Sequence, residues 1–301
     1  MFKPLKFIHK TDKDFPPLLR EINDPPDKLF ALGNLEPLLD SNTENGITIL
    51  CVVGARKYSN YGKEVTEKLI AGLKGYNVCI VSGLALGIDS IAHRAALAAD
   101  IYTVAFPGSG LDDSVMYPRS HLDLSREIVE KGGALLSEFE PLQKSDIWTF
   151  PSRNRLMAGI SHATLVVEAE LKSGSLITSR YSTDYNRDVG TVPGHIFSPL
   201  SAGPHMLIRN GATPVTCTDD LLELLGFARR EGQSSLPFSN DKIAMLGINE
   251  KKIINMLQRG PCGKDSLIRQ LGIDTREANT IISVMELDGY IKEGGGVVRV
   301  V

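Results

Sequence analysis

Two apolar runs, each ending in glycine, decide the fold: Ile47-Thr48-Ile49-Leu50-Cys51-Val52-Val53-Gly54 and Val78-Cys79-Ile80-Val81-Ser82-Gly83. Neither alternates polar with apolar residues, so each reads as a strand buried on both faces, as in a parallel sheet. Between them Gly62–Leu73 carries helical periodicity. The pattern repeats outward. Further strand-like runs are Tyr102–Phe106, Ala134–Leu136, Thr164–Val167 and Val189–Val192, and helical patterns cover Ser90–Ala99, His121–Lys131, Asn154–Ile160 and Leu176–Asn186. Strands alternating with helices predict an α/β domain over 47–228: an extended Rossmann-type, doubly wound, mostly parallel sheet.

The flanks read differently. Residues 1–46 form a short N-terminal helical preface and linker. Asp14-Phe15-Pro16-Pro17-Leu18-Leu19 starts a helix with proline in its first turn, and Asp24-Pro25-Pro26 ends it. Residues 229–241 are polar and glycine- and serine-bearing, which predicts a linker. Over 242–301, helical patterns at Glu250–Arg259, Ser266–Leu271 and Thr275–Asp288 precede two strands around Gly294-Gly295-Gly296. Three helices and a hairpin predict a small C-terminal winged-helix domain.

Composition narrows the function. The chain has 301 residues, 42% hydrophobic and 23% charged, enough apolar material for a sizeable core. A net charge of −3 argues against a protein that coats duplex DNA by charge alone, while leaving room for a local basic groove. Cys51, Cys79, Cys217 and Cys262 are scattered, with no zinc spacing, so no metal and no cofactor is expected. The N-terminus lacks the apolar stretch of a signal peptide, and no run of about 18 apolar residues exists. A cytoplasmic protein with no membrane partner is the expectation.

In an open parallel sheet, ligands bind beyond the carboxyl ends of the strands. Four glycine-bearing loops fall at that edge: Val53-Gly54-Ala55-Arg56-Lys57, Ser82-Gly83-Leu84-Ala85-Leu86-Gly87, Pro107-Gly108-Ser109-Gly110 and Ser173-Gly174-Ser175-Leu176-Ile177-Thr178. Glycine lets backbone N–H groups approach an anion, and a helix N-terminus adds positive partial charge. The spacings fit neither the dinucleotide G-x-G-x-x-G nor the Walker lysine loop. Cations cluster at the same edge: Arg56, Lys57, Arg119, Arg153, Arg155 and Lys172. Arginine binds phosphate through a planar fork, although a surface ion pair is the alternative for any single one. Catalytic patterns are absent. Asp89 and His93 lie one helical turn apart and read as a local contact, and Glu168 with Glu170 reads as a polar strand end before an acid pair.

Taken in order, these motifs resemble the DNA-processing protein A (DprA/Smf) family. The resemblance is carried by Gly54-Ala55-Arg56, Ser82–His93, Gly110-Leu111-Asp112, Tyr117-Pro118, Leu136-Ser137-Glu138, Phe150-Pro151-Ser152-Arg153-Asn154-Arg155, Ser173–Thr178, Val192-Pro193-Gly194 and Leu207–Ala212. It implies a non-enzymatic, homodimeric binder of single-stranded DNA that protects incoming strands during natural transformation and loads the RecA recombinase. By position it implies DNA contacts for Arg56, Arg119, Arg153, Arg155, Gly174 and Ser175, and with the loop residues read above the expected DNA-contacting set is Gly54, Arg56, Lys57, Ser82, Gly83, Gly108, Arg119, Arg153, Asn154, Arg155, Lys172, Gly174, Ser175 and Thr178. It also places part of a dimer contact around His205–Ile208. Phe150, Tyr117 and Trp148 are nearby candidates for base stacking. The sequence departs from the family at His121, where asparagine is usual, at the bulky stretch Ser179–Asp184, and in a preface shorter than the helical N-terminal domain many members carry.

Two other functions compete. A LOG-type phosphoribohydrolase would bind a nucleotide at the same edge, but needs a glutamate soon after a Pro-Gly-Gly-x-Gly-Thr loop; here the loop is Ser-Gly-Ser-Leu-Ile-Thr and the next carboxylate is Asp184. A winged-helix regulator would read duplex DNA through Thr275–Asp288, which offers Arg276 and Asn279 among Glu277, Glu286 and Asp288, a poor groove reader.

Overall fold

The structure, a computed structural model, describes residues 5–43, 46–227, 246–257, 261–294 and 296–300. The chain divides into two units, Met1–Arg229 and Arg230–Val301. The first is built on a nine-stranded sheet. Its strands in chain order are β1 (Lys6–His9), β2 (Lys28–Gly33), β3 (Thr48–Val53), β4 (Val78–Ser82), β5 (Tyr102–Ala105), β6 (Ala134–Ser137), β7 (Ala163–Val166), β8 (Asp188–Thr191) and β9 (Thr213–Pro214). Across the sheet the order is β1-β2-β6-β5-β4-β3-β7-β8-β9, parallel from β6 to β9. The strands expected from the apolar runs are all present.

The preface differs from its expected helical form. It does contain short helices, α1 (Pro17–Arg20) and α2 (Glu36–Leu39). It also supplies β1 and β2, which pair antiparallel with each other, β2 closing antiparallel on β6. Phe30 pairs with Ser137 and Gly33 with Ala134, so the preface is part of the sheet. The expected linker at 229–241 lies outside the described residues.

Helices cover both faces: α3 (Asn60–Ala71), α4 (Ile88–Ala98), α5 (Leu122–Glu130), α6 (Thr149–Ile160), α7 (Ser175–Asp184), α8 (Ala202–Arg209) and α9 (Thr218–Leu224). Strand alternation sorts the core into two layers. Ile49, Cys51 and Val53 pack with Leu156, Met157 and Ile160 of α6. Leu50 and Val52 pack on the other face with Leu69 and Ile70 of α3 and Ile88 and Ile91 of α4. The sequence pattern began α6 at Asn154. It begins at Thr149 instead, because Pro151 sits in the first turn, where a missing N–H costs nothing.

The start of α3 is held by a carboxylate from another strand. Ser59 caps the helix, its Oγ accepting the Gly62 N–H at 3.1 Å. Buried Glu168, beyond β7, accepts the Ser59 N–H at 3.0 Å and the Ser59 hydroxyl at 2.5 Å. An anion there also suits the positive end of the helix. Ser59→Ala removes the cap and one donor to a buried carboxylate. It is expected to cost about 2 kcal/mol, read in calorimetry as a melting temperature lower by ~4–8 °C. An unchanged melting temperature would show that Glu168 does not need Ser59.

The second unit has α10 (Ile248–Leu257), α11 (Lys264–Leu271) and α12 (Thr275–Leu287) against a three-stranded sheet of β10 (Cys262–Gly263), β11 (Ile291–Gly294) and β12 (Val297–Val300). Ile253, Ile254 and Leu257 bury the expected helix face against Leu267, Ile282 and Val298. This is the winged-helix arrangement.

Candidate nucleic-acid interface

The strand order reverses at β3, which has β4 on one side and β7 on the other. Such a switch point opens a crevice between the loops that leave the strands. A cleft of about 410 Å³ lies there, lined among others by Val53 and Gly54 after β3, Lys172 and Gly174 before α7, and Phe150 and Met157 on α6. Nine of the residues expected at the site meet in it: Gly54, Arg56, Lys57, Arg153, Asn154, Lys172, Gly174, Ser175 and Thr178.

Three cations mark its rim. Arg56, Lys57 and Lys172 are exposed, and among the described residues none has an ion-pair or hydrogen-bond partner. Arg56 lies over the Phe150 ring, 5.2 Å from its centroid, a cation–π contact that orients the guanidinium. The Tyr117 ring lies 5.8 Å beyond Phe150 and is 45% exposed. The edge thus offers unpaired positive charge beside aromatic faces.

The glycines divide. At Gly174 a Cβ would meet nothing within 4 Å, so a ligand can approach this backbone at the start of α7. The other predicted glycines serve internal packing instead. A Cβ on Gly54 would strike the Ile88 side chain at 2.6 Å, one on Gly83 the Arg153 guanidinium at 2.2 Å, and one on Gly108 the Phe150 ring at 2.7 Å. Their space is already filled by this chain.

Several predicted cations are likewise spoken for. Arg153 is buried, at 4% exposure, and donates through Nη1 to the Gly83 and Phe106 carbonyls. Its Nε donates to Asn154 Oδ1 at 3.1 Å, and Asn154 Nδ2 donates to the Gly174 carbonyl at 3.3 Å. The pair fastens three loops of the cleft to one another, a structural task where a phosphate contact was expected. Arg155 is held by Glu138 and by Asp24 of the preface, with its side chain 13% exposed. Arg119 donates to the Asp113 carbonyl away from the cleft. Ser82 is buried and donates to the Val52 carbonyl at 2.6 Å. These five positions (Ser82, Gly83, Gly108, Arg119 and Arg155) do not line the cleft.

Below the loops lies a buried polar layer. Asp89 accepts the Gly83 N–H at 3.2 Å and does not bond His93. Burial pushes its carboxyl pKa up, opposed by the Arg153 charge. His121 bonds the Leu84 carbonyl at 2.8 Å, bracing a residue whose φ of 55° is unusual for leucine. His93 Nδ1 lies 2.8 Å from Thr103 Oγ1, whose own hydroxyl is spent on the Ile80 carbonyl. The imidazole Nδ1 therefore carries the proton and donates. Burial pushes the His93 pKa down to about 3. Folded His93 stays neutral while the unfolded side chain takes a proton near pH 6.5. Stability is therefore full above about 6.5 and falls as the pH drops from there toward 3. His93→Gln is expected to flatten that part of a stability-against-pH curve, and an unaltered slope would remove His93 as its source.

Sequence reasoning missed Met157 and Leu200 in the lining. Leu200 comes from a distant loop, and no local pattern marks it. Among the described residues no group of three His, Cys, Asp or Glu side chains could hold a metal, and no helix is long and apolar enough to cross a membrane.

A family model described as DNA recombination-mediator protein A matches residues 6–226, and one described as DprA winged helix domain matches 243–296. Protein Smf of Escherichia coli K12 is 41% identical over 227 residues, covering 75% of this chain and 58% of that protein. The chain thus spans about three fifths of the length of that relative. The X-ray structure of DNA processing protein A from Streptococcus pneumoniae aligns with a TM-score of 0.67 at 38% identity, covering 74% of this chain and 75% of that one. DNA processing protein A from Helicobacter pylori, whose structure concerns its single-stranded DNA binding mode, aligns with a TM-score of 0.63 at 27% identity. That match covers 75% of this chain and 98% of that one.

Proposed function

The chain belongs to the DNA recombination-mediator protein A family, and from that premise we propose that it binds single-stranded DNA along the switch-point cleft. The observation that carries the reading is the rim of Arg56, Lys57 and Lys172, three cations without acidic partners beside the open Gly174 backbone. Phosphates run along that rim, and bases stack on the Phe150 and Tyr117 side, the combination by which single strands are held without sequence preference. The Helicobacter relative, known for single-stranded DNA binding, supports it.

The role we propose is binding. Two acids of the edge have structural partners, Glu168 holding Ser59 and Asp89 holding Gly83, which leaves exposed Glu170 as a lone carboxylate in the cleft lining. Asp184, the first carboxylate after the Ser173–Thr178 loop, lies at the far end of α7 beside Arg180. In the second unit α12 exposes Arg276 among Glu277 and Glu286, which disfavours a duplex reader. We extend the proposal to protection of incoming strands, RecA loading and a cytoplasmic setting, for which the family resemblance is the support. We place self-association around His205–Ile208 on α8, where the side chains are half-buried and the preceding loop exposes Ile196 and Phe197.

The test is a gel-shift titration with a mixed-sequence single strand and its duplex at two salt concentrations. Preferential single-strand binding that weakens with salt is the expected result. Duplex preference, or no binding, overturns the reading.

A further inference from the structure

The loop that carries Arg56 and Lys57 joins β3 to α3 over residues 54–59, and its middle makes no hydrogen bonds of its own. Among the described residues the backbones of Arg56, Lys57 and Tyr58 have no such partner. The loop is held from its ends. At the near end Ser175 donates to the Gly54 carbonyl at 2.9 Å, and the Ile88 N–H donates to the Ala55 carbonyl at 3.2 Å. At the far end Glu168, beyond β7, accepts both the N–H and the hydroxyl of Ser59.

The seat of Glu168 is built into the neighbouring helix. Gly62 lies in the first turn of α3, and a Cβ there would stand 2.3 Å from Glu168 Oε2. Glycine is a poor helix former, and here it admits a carboxylate. Glu168 is 4% exposed and has no ion-pair partner among the described residues. Burying a carboxylate is costly unless hydrogen bonds compensate it, and its bonds go to the end of the rim loop.

We propose that Glu168 is a positioning residue for strand binding: it anchors the far end of the rim loop, so that Arg56 and Lys57 are in place before a strand arrives. Cations already in place cost a ligand less affinity than cations it must order. The inference rests on the single-strand reading, which gives the rim its ligand.

The test is fluorescence anisotropy of the full chain with a labelled mixed-sequence single strand at low salt. The chains compared are the parent, Glu168→Gln, the pair Arg56→Ala with Lys57→Ala, and the triple variant. Glutamine keeps the shape but offers one acceptor oxygen where the carboxylate offers two. Glu168→Gln is expected to weaken binding by about fivefold in the parent and not at all in the background lacking Arg56 and Lys57, because it acts through them. A residue that only stabilises the fold would weaken both alike. Gly62→Ala takes the carboxylate's seat while favouring the helix, and is expected to repeat the loss. Parental affinity in either variant, or an equal loss from Glu168→Gln in both backgrounds, overturns the inference. The single-strand reading then still stands if Arg56→Ala with Lys57→Ala weakens binding. Parental affinity in that pair removes the rim from the DNA site and the inference with it.

Discussion

Arg56→Ala is expected to weaken single-strand binding by roughly ten- to a hundredfold while leaving the fold intact. A hydrogen bond to a charged group contributes about 1.5–3 kcal/mol, and a guanidinium can offer a phosphate two at once. Arg56 is exposed and its side chain makes no ion pair or hydrogen bond among the described residues, although its charge is felt by buried Asp89. Its intramolecular contact is the Phe150 ring, so the stability lost is about 0.5–1 kcal/mol. Arg56→Lys keeps the charge but loses the fork and the planar stack on Phe150. It should recover only part of the affinity. Lys57→Ala and Lys172→Ala should each lower the slope of log affinity against log salt by about one, as loss of a single phosphate contact does. Arg119→Ala is the contrast, since its guanidinium is committed to the Asp113 carbonyl outside the cleft. Fluorescence anisotropy with a labelled oligonucleotide, at several salt concentrations, separates these variants. Equal affinities for Arg56→Ala and the parent chain would remove the rim from the DNA site.

The central parallel strands were legible because strands buried on both faces are mostly apolar, and runs such as Ile49–Val53 show no polar alternation. The edge strands were not. Lys6–His9 and Lys28–Gly33 are short, and the strand that fixes the second of them, Ala134–Ser137, lies about a hundred residues away. A long-range antiparallel partner leaves no periodic mark on a four- to six-residue segment. The glycine loops were found, but their use was not. Gly54, Gly83 and Gly108 are glycine because Ile88, Arg153 and Phe150 occupy the space of a side chain. In sequence that is indistinguishable from making room for an anion. For Arg153 a signal did exist. Arg153, Leu156, Met157 and Ile160 stand at i, i+3, i+4 and i+7, which puts the arginine on the core face of its helix. Read by residue type, it is a phosphate ligand. Its phase along the helix makes it a buried strut.

Arg153→Met is therefore expected to lose about 3–5 kcal/mol of stability, the largest effect of any single change at the site. The guanidinium donates to the Gly83 and Phe106 carbonyls from a buried position, and its loss leaves both without that donor. Its charge also offsets buried Asp89. Burial pushes the Arg153 pKa down to about 10, so it remains cationic at neutral pH. Removing it strands a carboxylate away from solvent, and Asp89 must then either ionise unpaired or take a proton. Asp89→Asn in the same chain should return part of the loss, since the uncompensated charge disappears while an amide oxygen still accepts the Gly83 N–H. Urea denaturation of the parent, the two single variants and the double variant yields that coupling directly. A strut and a phosphate ligand differ in what they predict. If Arg153 contacted DNA from a solvated position, Arg153→Met would keep its urea midpoint and lose only affinity, and Asp89→Asn would restore nothing. If it braces the loops, the midpoint falls first. Affinity then falls because Asn154 loses the guanidinium that orients its amide on the Gly174 carbonyl.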